Sequence, residues 1–136
     1  MIFAWIIVIG VFLQVYFIAS FFSGAGEGAL DAHSFTGGLV VHGSELIVFL
    51  SSLAAFWGLW RWVGWSFLLF AFGTVQIFLA PDDGEGSGWV HGLHGLFALF
   101  VLVLAAYLAQ RDMRLLGLRG EADMTPAPGP PPQPPA

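Results

Sequence analysis

Four histidines stand in or beside long apolar runs of this sequence: His33, His42, His91 and His94. A neutral imidazole can hold a metal through one ring nitrogen and donate a hydrogen bond through the other. A polar side chain inside a bilayer is costly and normally faces the protein interior. Two of these histidines have a matching context. Gln14 lies 19 positions before His33 and Gln76 lies 18 before His94. Each glutamine closes an apolar run (QVYFIA, QIFLAP), and an acidic, glycine-rich connection follows. Then comes the histidine, with a small residue four positions later, Gly37 or Ala98. This reads as a parallel duplication of a two-helix unit.

The elements that must position these groups are four apolar segments, at 2–22, 30–57, 62–80 and 89–109. Each has about 20 residues, the length an α-helix needs to cross the hydrocarbon core. A transmembrane barrel would instead need alternating segments of about ten residues, and none is seen. The fold expected is an all-α polytopic membrane four-helix bundle, up-down-up-down. It would fill residues 1–110, with a proline-rich, disordered tail at 111–136. The first segment has no basic residues ahead of it and no clean cleavage site after it, so a retained helix is expected.

Charge sets the orientation. The four basic residues are all arginine: Arg61 in the second connection, and Arg111, Arg114 and Arg119 after the fourth segment. The first and third connections carry only acidic charge. The positive-inside rule then places both termini in the cytoplasm of a cell with a plasma membrane, and arginine without lysine suits GC-rich bacterial coding. Trp57, Trp60, Trp62 and Trp65 crowd the cytoplasmic turn, and Trp89 marks the opposite interface.

In such a bundle the second and fourth helices are diagonal, so His33 and His94 become symmetry mates near the outer surface. Two opposed imidazoles across a helical core suit the axial ligation of haem iron, so b-type haem is the cofactor expected. Gly37 and Ala98 would make room for the porphyrin. Gln14 and Gln76 would bond a free ring nitrogen or a propionate. The acidic connections would repel propionates. His91 lies about 60° around the helix from His94 and is read as interfacial or as a helper to the site.

His42 and Glu45 stand one turn apart on the second helix. Nine residues separate His42 from His33, which at 100° per residue puts the two on opposite sides of an ideal helix. The pair is expected to form a proton relay or a local hydrogen-bonded contact away from the haem. An ionised Glu45 facing lipid is the least favourable arrangement. Metal without haem is a further alternative, zinc or copper on His91 and His94 with Asp31, Asp82, Asp83 or Glu85.

Composition excludes much else. The chain has 136 residues, 57% hydrophobic and 10% charged, with net charge −5 and no cysteine. Disulfides and thiol chemistry are excluded, and no basic face exists for nucleic acid. Hydrolase and phosphate-loop motifs are absent, so nothing asks for a stand-alone enzyme.

The combination of Gln14, His33 with Gly37, Gln76 with Leu79 and Ala80, and Leu93 with His94 resembles a family of small four-helix bacterial membrane proteins catalogued as a domain of unknown function. The resemblance spans residues 1–110. Where that family commonly has proline after the last histidine, this chain has Gly95. It implies the four-helix fold and no activity. The layout is also similar to b-type haem bundles with histidines on diagonal helices, a likeness of architecture. Three functions are therefore carried forward. One is a haem protein for electron transfer or haem handling. Another is an accessory subunit docking on a membrane partner or its own copy through Gly37, Gly38 and Gly43. The third is a proton or small-ion pathway through His42 and Glu45.

Overall fold

A computed structural model describes residues 2–80 and 88–115. The protein is an all-α bundle of four helices. Helix α1 runs Ile2–Ser20 and ends through a wide π-type turn, Phe21–Ala25. Gly24 (φ 92°) and Gly26 (φ 82°) reverse the chain there, in conformations that only glycine adopts without strain. Helix α2 covers Glu27–Ala55 and contains a π-turn at Thr36–Val41. Gly58 (φ 88°) turns the chain into α3, Trp60–Phe78, and α4 runs Gly88–Leu115.

Consecutive helices pack antiparallel, and α4 closes against α1, so α2 and α4 are diagonal as expected. Three helices are long and apolar enough to cross a membrane: Ile2–Ala25, Glu27–Ala55 and Gly88–Arg114. The α3 segment is less apolar, because Arg61, the tryptophans, Ser66, Thr74 and Gln76 dilute it. Its hydroxyls are satisfied locally. Ser66 Oγ donates to Val63 O at 2.8 Å and Thr74 Oγ1 to Phe70 O at 2.8 Å, the back-bonding that lets such residues sit in an apolar helix.

The helix bounds differ from the sequence reading by a few residues, most at the end of α4. The helix continues to Leu115 where an end at 109 was expected. Gln110, Arg111, Asp112, Met113 and Arg114 offer no breaker, so the helix runs on through what was read as the start of the tail. The rest of the expected tail, with Arg119, lies outside the described residues, as does most of the third connection with Asp82, Asp83 and Glu85.

The core is a column of Ile7, Val8, Val11, Val41, Leu69, Val101, Leu104, Ala105 and Leu108. In lipid these contacts work by close packing, since hydrocarbon chains are as apolar as leucine. Small residues bring the backbones together. A Cβ added at Gly10 would meet Val41 Cγ2 at 2.6 Å, so Gly10 is the notch into which α2 settles on α1. Aromatic contacts bind α3 to its neighbours. Phe49 packs on Phe67 and Phe70 on the α2 side, and Phe72 on Phe97 and Phe100 on the α4 side. At the end carrying both termini, Arg111 lies 3.0 Å over the Trp62 ring, a cation–π contact that ties α4 to α3. Trp62 thus serves within the bundle, whereas Trp57, Trp60 and Trp89 are exposed in the manner of interfacial anchors.

The Gly10 notch generates a prediction. Gly10→Ala should destabilise the bundle by about 1–3 kcal/mol through overpacking. Adding Val41→Ala should recover part of the loss, read as the thermal midpoint of the helical signal in mild detergent. Simple additivity of the two losses would remove the notch from the account.

Candidate functional site

The site is built by two equivalent hydrogen bonds. His33 Nδ1–H donates to the backbone carbonyl of Gln14 at 3.1 Å, and His94 Nδ1–H donates to that of Gln76 at 2.8 Å. A carbonyl oxygen can only accept, so Nδ1 carries the proton in both rings. Each Nε2 is then left with its lone pair, the tautomer of a metal-binding imidazole. The duplication read from the sequence thus reappears as the same bond made twice. The two rings stand across the bundle with centroids 6.3 Å apart and planes inclined by 52°.

The matched pairs differ in their glutamine side chains. Gln14 reaches back, and its Nε2 donates to His33 O at 2.7 Å, making a reciprocal clamp between α1 and α2. Gly37 serves this clamp. A Cβ there would come within 2.6 Å of Gln14 Nε2, so the missing side chain accommodates the amide where room for a porphyrin had been expected. The Gln76 side chain makes no such clamp and turns its amide to a central cavity.

That cavity is half-open and lies among all four helices. It is lined at one end by His33, His94, Gln14, Gln76, Gly37 and Ala98, and at the other by Val11, Val41, Gly73, His42 and Glu45. It contains about 720 Å³ counted out to its open side, with about 190 Å³ of room for water-sized molecules. Its rim residues Ser34, Gly38, Ile77 and Ala80 are exposed, and they lie where α2 and α3 part near the histidines. Its floor is buried, with Glu45 at 0% exposure.

The placement of His42 and Glu45 differs from the sequence reading. An ideal helix turns His42 away from His33, yet both line the one cavity. The cause is the π-turn at Thr36–Val41, in which His42 N–H bonds Gly37 O, five residues back. A π-turn takes one extra residue and so sets the following helix back by roughly 100°. Helix α4 supplies the control, since it has no such turn. Val103, nine residues after His94, is 68% exposed and faces away. Before the π-turn His33 matches His94 and Gly37 matches Ala98. After it Val41 matches Val101 and Glu45 matches Ala105, one residue out of step, and each of these four is buried.

Glu45 reaches its place because Gly73 has no side chain. A Cβ at Gly73 would collide with the carboxylate of Glu45. Glu45 Oε2 lies 2.8 Å from His42 Nδ1, and the His42 ring stacks on Phe70 at 5.0 Å and 17°. Glu45 Oε1 is buried and has no hydrogen-bond partner among the described residues. The sequence reading missed Gly73. Its signal is a lone glycine in the apolar run of α3, which needs its partner on α2 to be known before it means anything.

His91 stays outside the cavity. It is half-buried, and its Nε2 is covered without a partner among the described residues. Among the described residues, no group of three or more histidines and carboxylates converges there either. The metal arrangement that joined His91 and His94 to Asp31 is therefore not gathered, and its other carboxylates lie outside the described residues.

The clamp is testable. Gly37→Ala should drive the Gln14 amide off His33 O and lower stability by about 1–2 kcal/mol, the cost of a lost buried bond. In nitrogen NMR of ring-labelled protein, His33 should show the Nδ1–H tautomer in the wild type and lose its uniformity in Gly37→Ala, while His94 stays unchanged. An unchanged His33 signal in the variant would contradict the clamp.

Comparison with protein families, curated proteins and solved structures finds no match to this chain, so its function has to be argued from this geometry.

Proposed function

We propose that the protein is a small integral membrane protein that binds a b-type haem between α2 and α4, whose iron His33 and His94 would hold. The supporting observation is the pair of equivalent Nδ1–H bonds that leave two unprotonated Nε2 atoms on rings 6.3 Å apart. Two imidazoles on one metal atom, with bonds of about 2 Å each, place their ring centres roughly 6 Å apart, so the spacing suits a shared iron. The room inside the recess, about 190 Å³, is below the range of about 300–1,000 Å³ that small-molecule and cofactor sites occupy, so a porphyrin would have to extend through its open side. Its walls are mainly apolar, from Val11, Val41, Ile77 and Ala98.

Bound haem supplies one-electron chemistry, or a cargo to be passed on. The chain's own contribution is positional. The Gln14 and Gln76 carbonyls fix the tautomer and direction of each imidazole, and a carbonyl acceptor on Nδ1–H makes the distal nitrogen a stronger donor to metal. The Gln14 amide anchors the His33 backbone. The Gln76 amide is available to a polar edge of the ligand. The arginines at the opposite end support a plasma-membrane orientation with both termini in the cytoplasm and this site near the outer leaflet.

The test is spectroscopic. Protein isolated from membranes grown with haem supplied should show sharp α and Soret bands in the reduced-minus-oxidised spectrum. His33→Ala and His94→Ala should each abolish the low-spin signature, and His91→Ala should keep it. A colourless protein under these conditions, or bands that survive both ligand substitutions, would sink the reading.

A further inference from the structure

The carboxyl of Glu45 is a second chemical feature of the cavity, and ligation by His33 and His94 makes no use of it. Its Oε2 is engaged by His42 Nδ1. Its Oε1 is buried and without a partner among the described residues, in a side chain that lines the cavity. An ionised carboxylate accepts at both oxygens, whereas one protonated at Oε1 donates there, so the missing partner must be able both to donate and to accept. Water does both, and it is the usual remedy for a buried polar atom without a partner where a site is polar and roomy enough.

Both conditions hold. About 190 Å³ is open to water-sized molecules, against about 30 Å³ for each water, so several fit. The other polar residues of the lining are Gln14, Gln76, His33, His94 and Ser34, and Ser34 is exposed. Access from the other end is closed. Ile7 on α1 and Leu69 on α3, each at 0% exposure, sit one turn further from the histidine end than the lining residues Val11 and Gly73. Beyond them lies a separate cavity lined by Ser51, Ser52, Ser66, Arg111 and Asp112. Among the described residues, the polar groups facing the Glu45 cavity are Gln14 from α1, His33, Ser34 and His42 from α2, Gln76 from α3 and His94 from α4, and Glu45 is the sole carboxylate in its wall.

We propose that Glu45 is a proton-binding group served by a short column of water that enters from the histidine end of the bundle and from nowhere else. A hydronium at the floor gives its proton to the carboxylate. One O–H bond forms on Glu45, one breaks on the hydronium, and a neutral water remains. His42 holds the carboxyl in place through Oε2, and the layer of Ile7 and Leu69 keeps the proton from passing on to the other end. This site is independent of the haem reading, because it needs only the cavity and its floor.

The test uses the full chain in lipid nanodiscs, without added haem, and infrared spectroscopy with D₂O as the probe. A carboxylic C=O band should grow as the buffer is acidified and be missing from Glu45→Gln. On exchange into D₂O the band should shift in the wild type. Ser34→Phe, which obstructs the exposed rim, should slow that shift severalfold, while Ser52→Leu, which fills the other cavity, should leave its rate unchanged. The proposal is overturned by the absence of any band that Glu45→Gln removes while helix content is intact. It is equally overturned by an exchange rate insensitive to Ser34→Phe, or by one slowed by Ser52→Leu. Because haem takes no part, a colourless protein leaves these outcomes readable, and a failure here leaves the haem spectrum to stand or fall alone.

Discussion

Everything at the histidine end depends on a backbone carbonyl near the end of one helix accepting a proton from an imidazole on the next. Gln14 O and Gln76 O each do this. Such a bond does three things at once. It joins consecutive helices of a unit, it satisfies a polar ring in an apolar surrounding, and it decides which ring nitrogen keeps a lone pair. Because the acceptor is main chain, its position depends on the helix and survives a change of the glutamine side chain. The glutamines therefore matter most for what their amides do, and the two amides do different things. One closes a clamp and the other faces the cavity.

The sequence made the frame legible because the frame rests on periodicity and composition. Four apolar runs, a string of arginines at one end and two glycine-rich connections suffice to order the helices and to place α2 opposite α4. The pairing of His33 with His94 followed from the repeated spacing to Gln14 and Gln76. The inner half of the cavity was not legible in the same way. Its arrangement depends on a constant turn angle failing inside TGGLVV, and no residue there announces a π-turn. Two adjacent glycines lower the cost of widening a helix, yet glycines are common in membrane helices for packing reasons too. Gly37 and Gly73 could likewise be seen as small residues. What each makes room for, an amide in one case and a carboxyl in the other, depends on a neighbouring helix.

The closed layer of Ile7 and Leu69 divides the bundle interior into two compartments of different character. Among the described residues, the histidine compartment has imidazoles, amides and a serine hydroxyl around a single carboxyl. The other has serines, a guanidinium and Asp112. The separation costs no special device. It is the ordinary core of a four-helix bundle, placed where the two polar regions would otherwise meet.

The extra residue in α2 also bears on how such a protein can arise. Two copies of one helical hairpin, paired about an axis, begin with identical walls, and whatever one side offers the other offers as well. A molecule resting in that space would have no reason to lie one way rather than the reverse. Lengthening one helix by a residue while its twin keeps the original phase puts Glu45 in the wall of the chamber, whereas its match Ala105 is an apolar residue outside the lining. The chamber thereby gains a polar side and a plain side. A guest with unlike edges can then be told front from back, which a strictly duplicated chamber could never do.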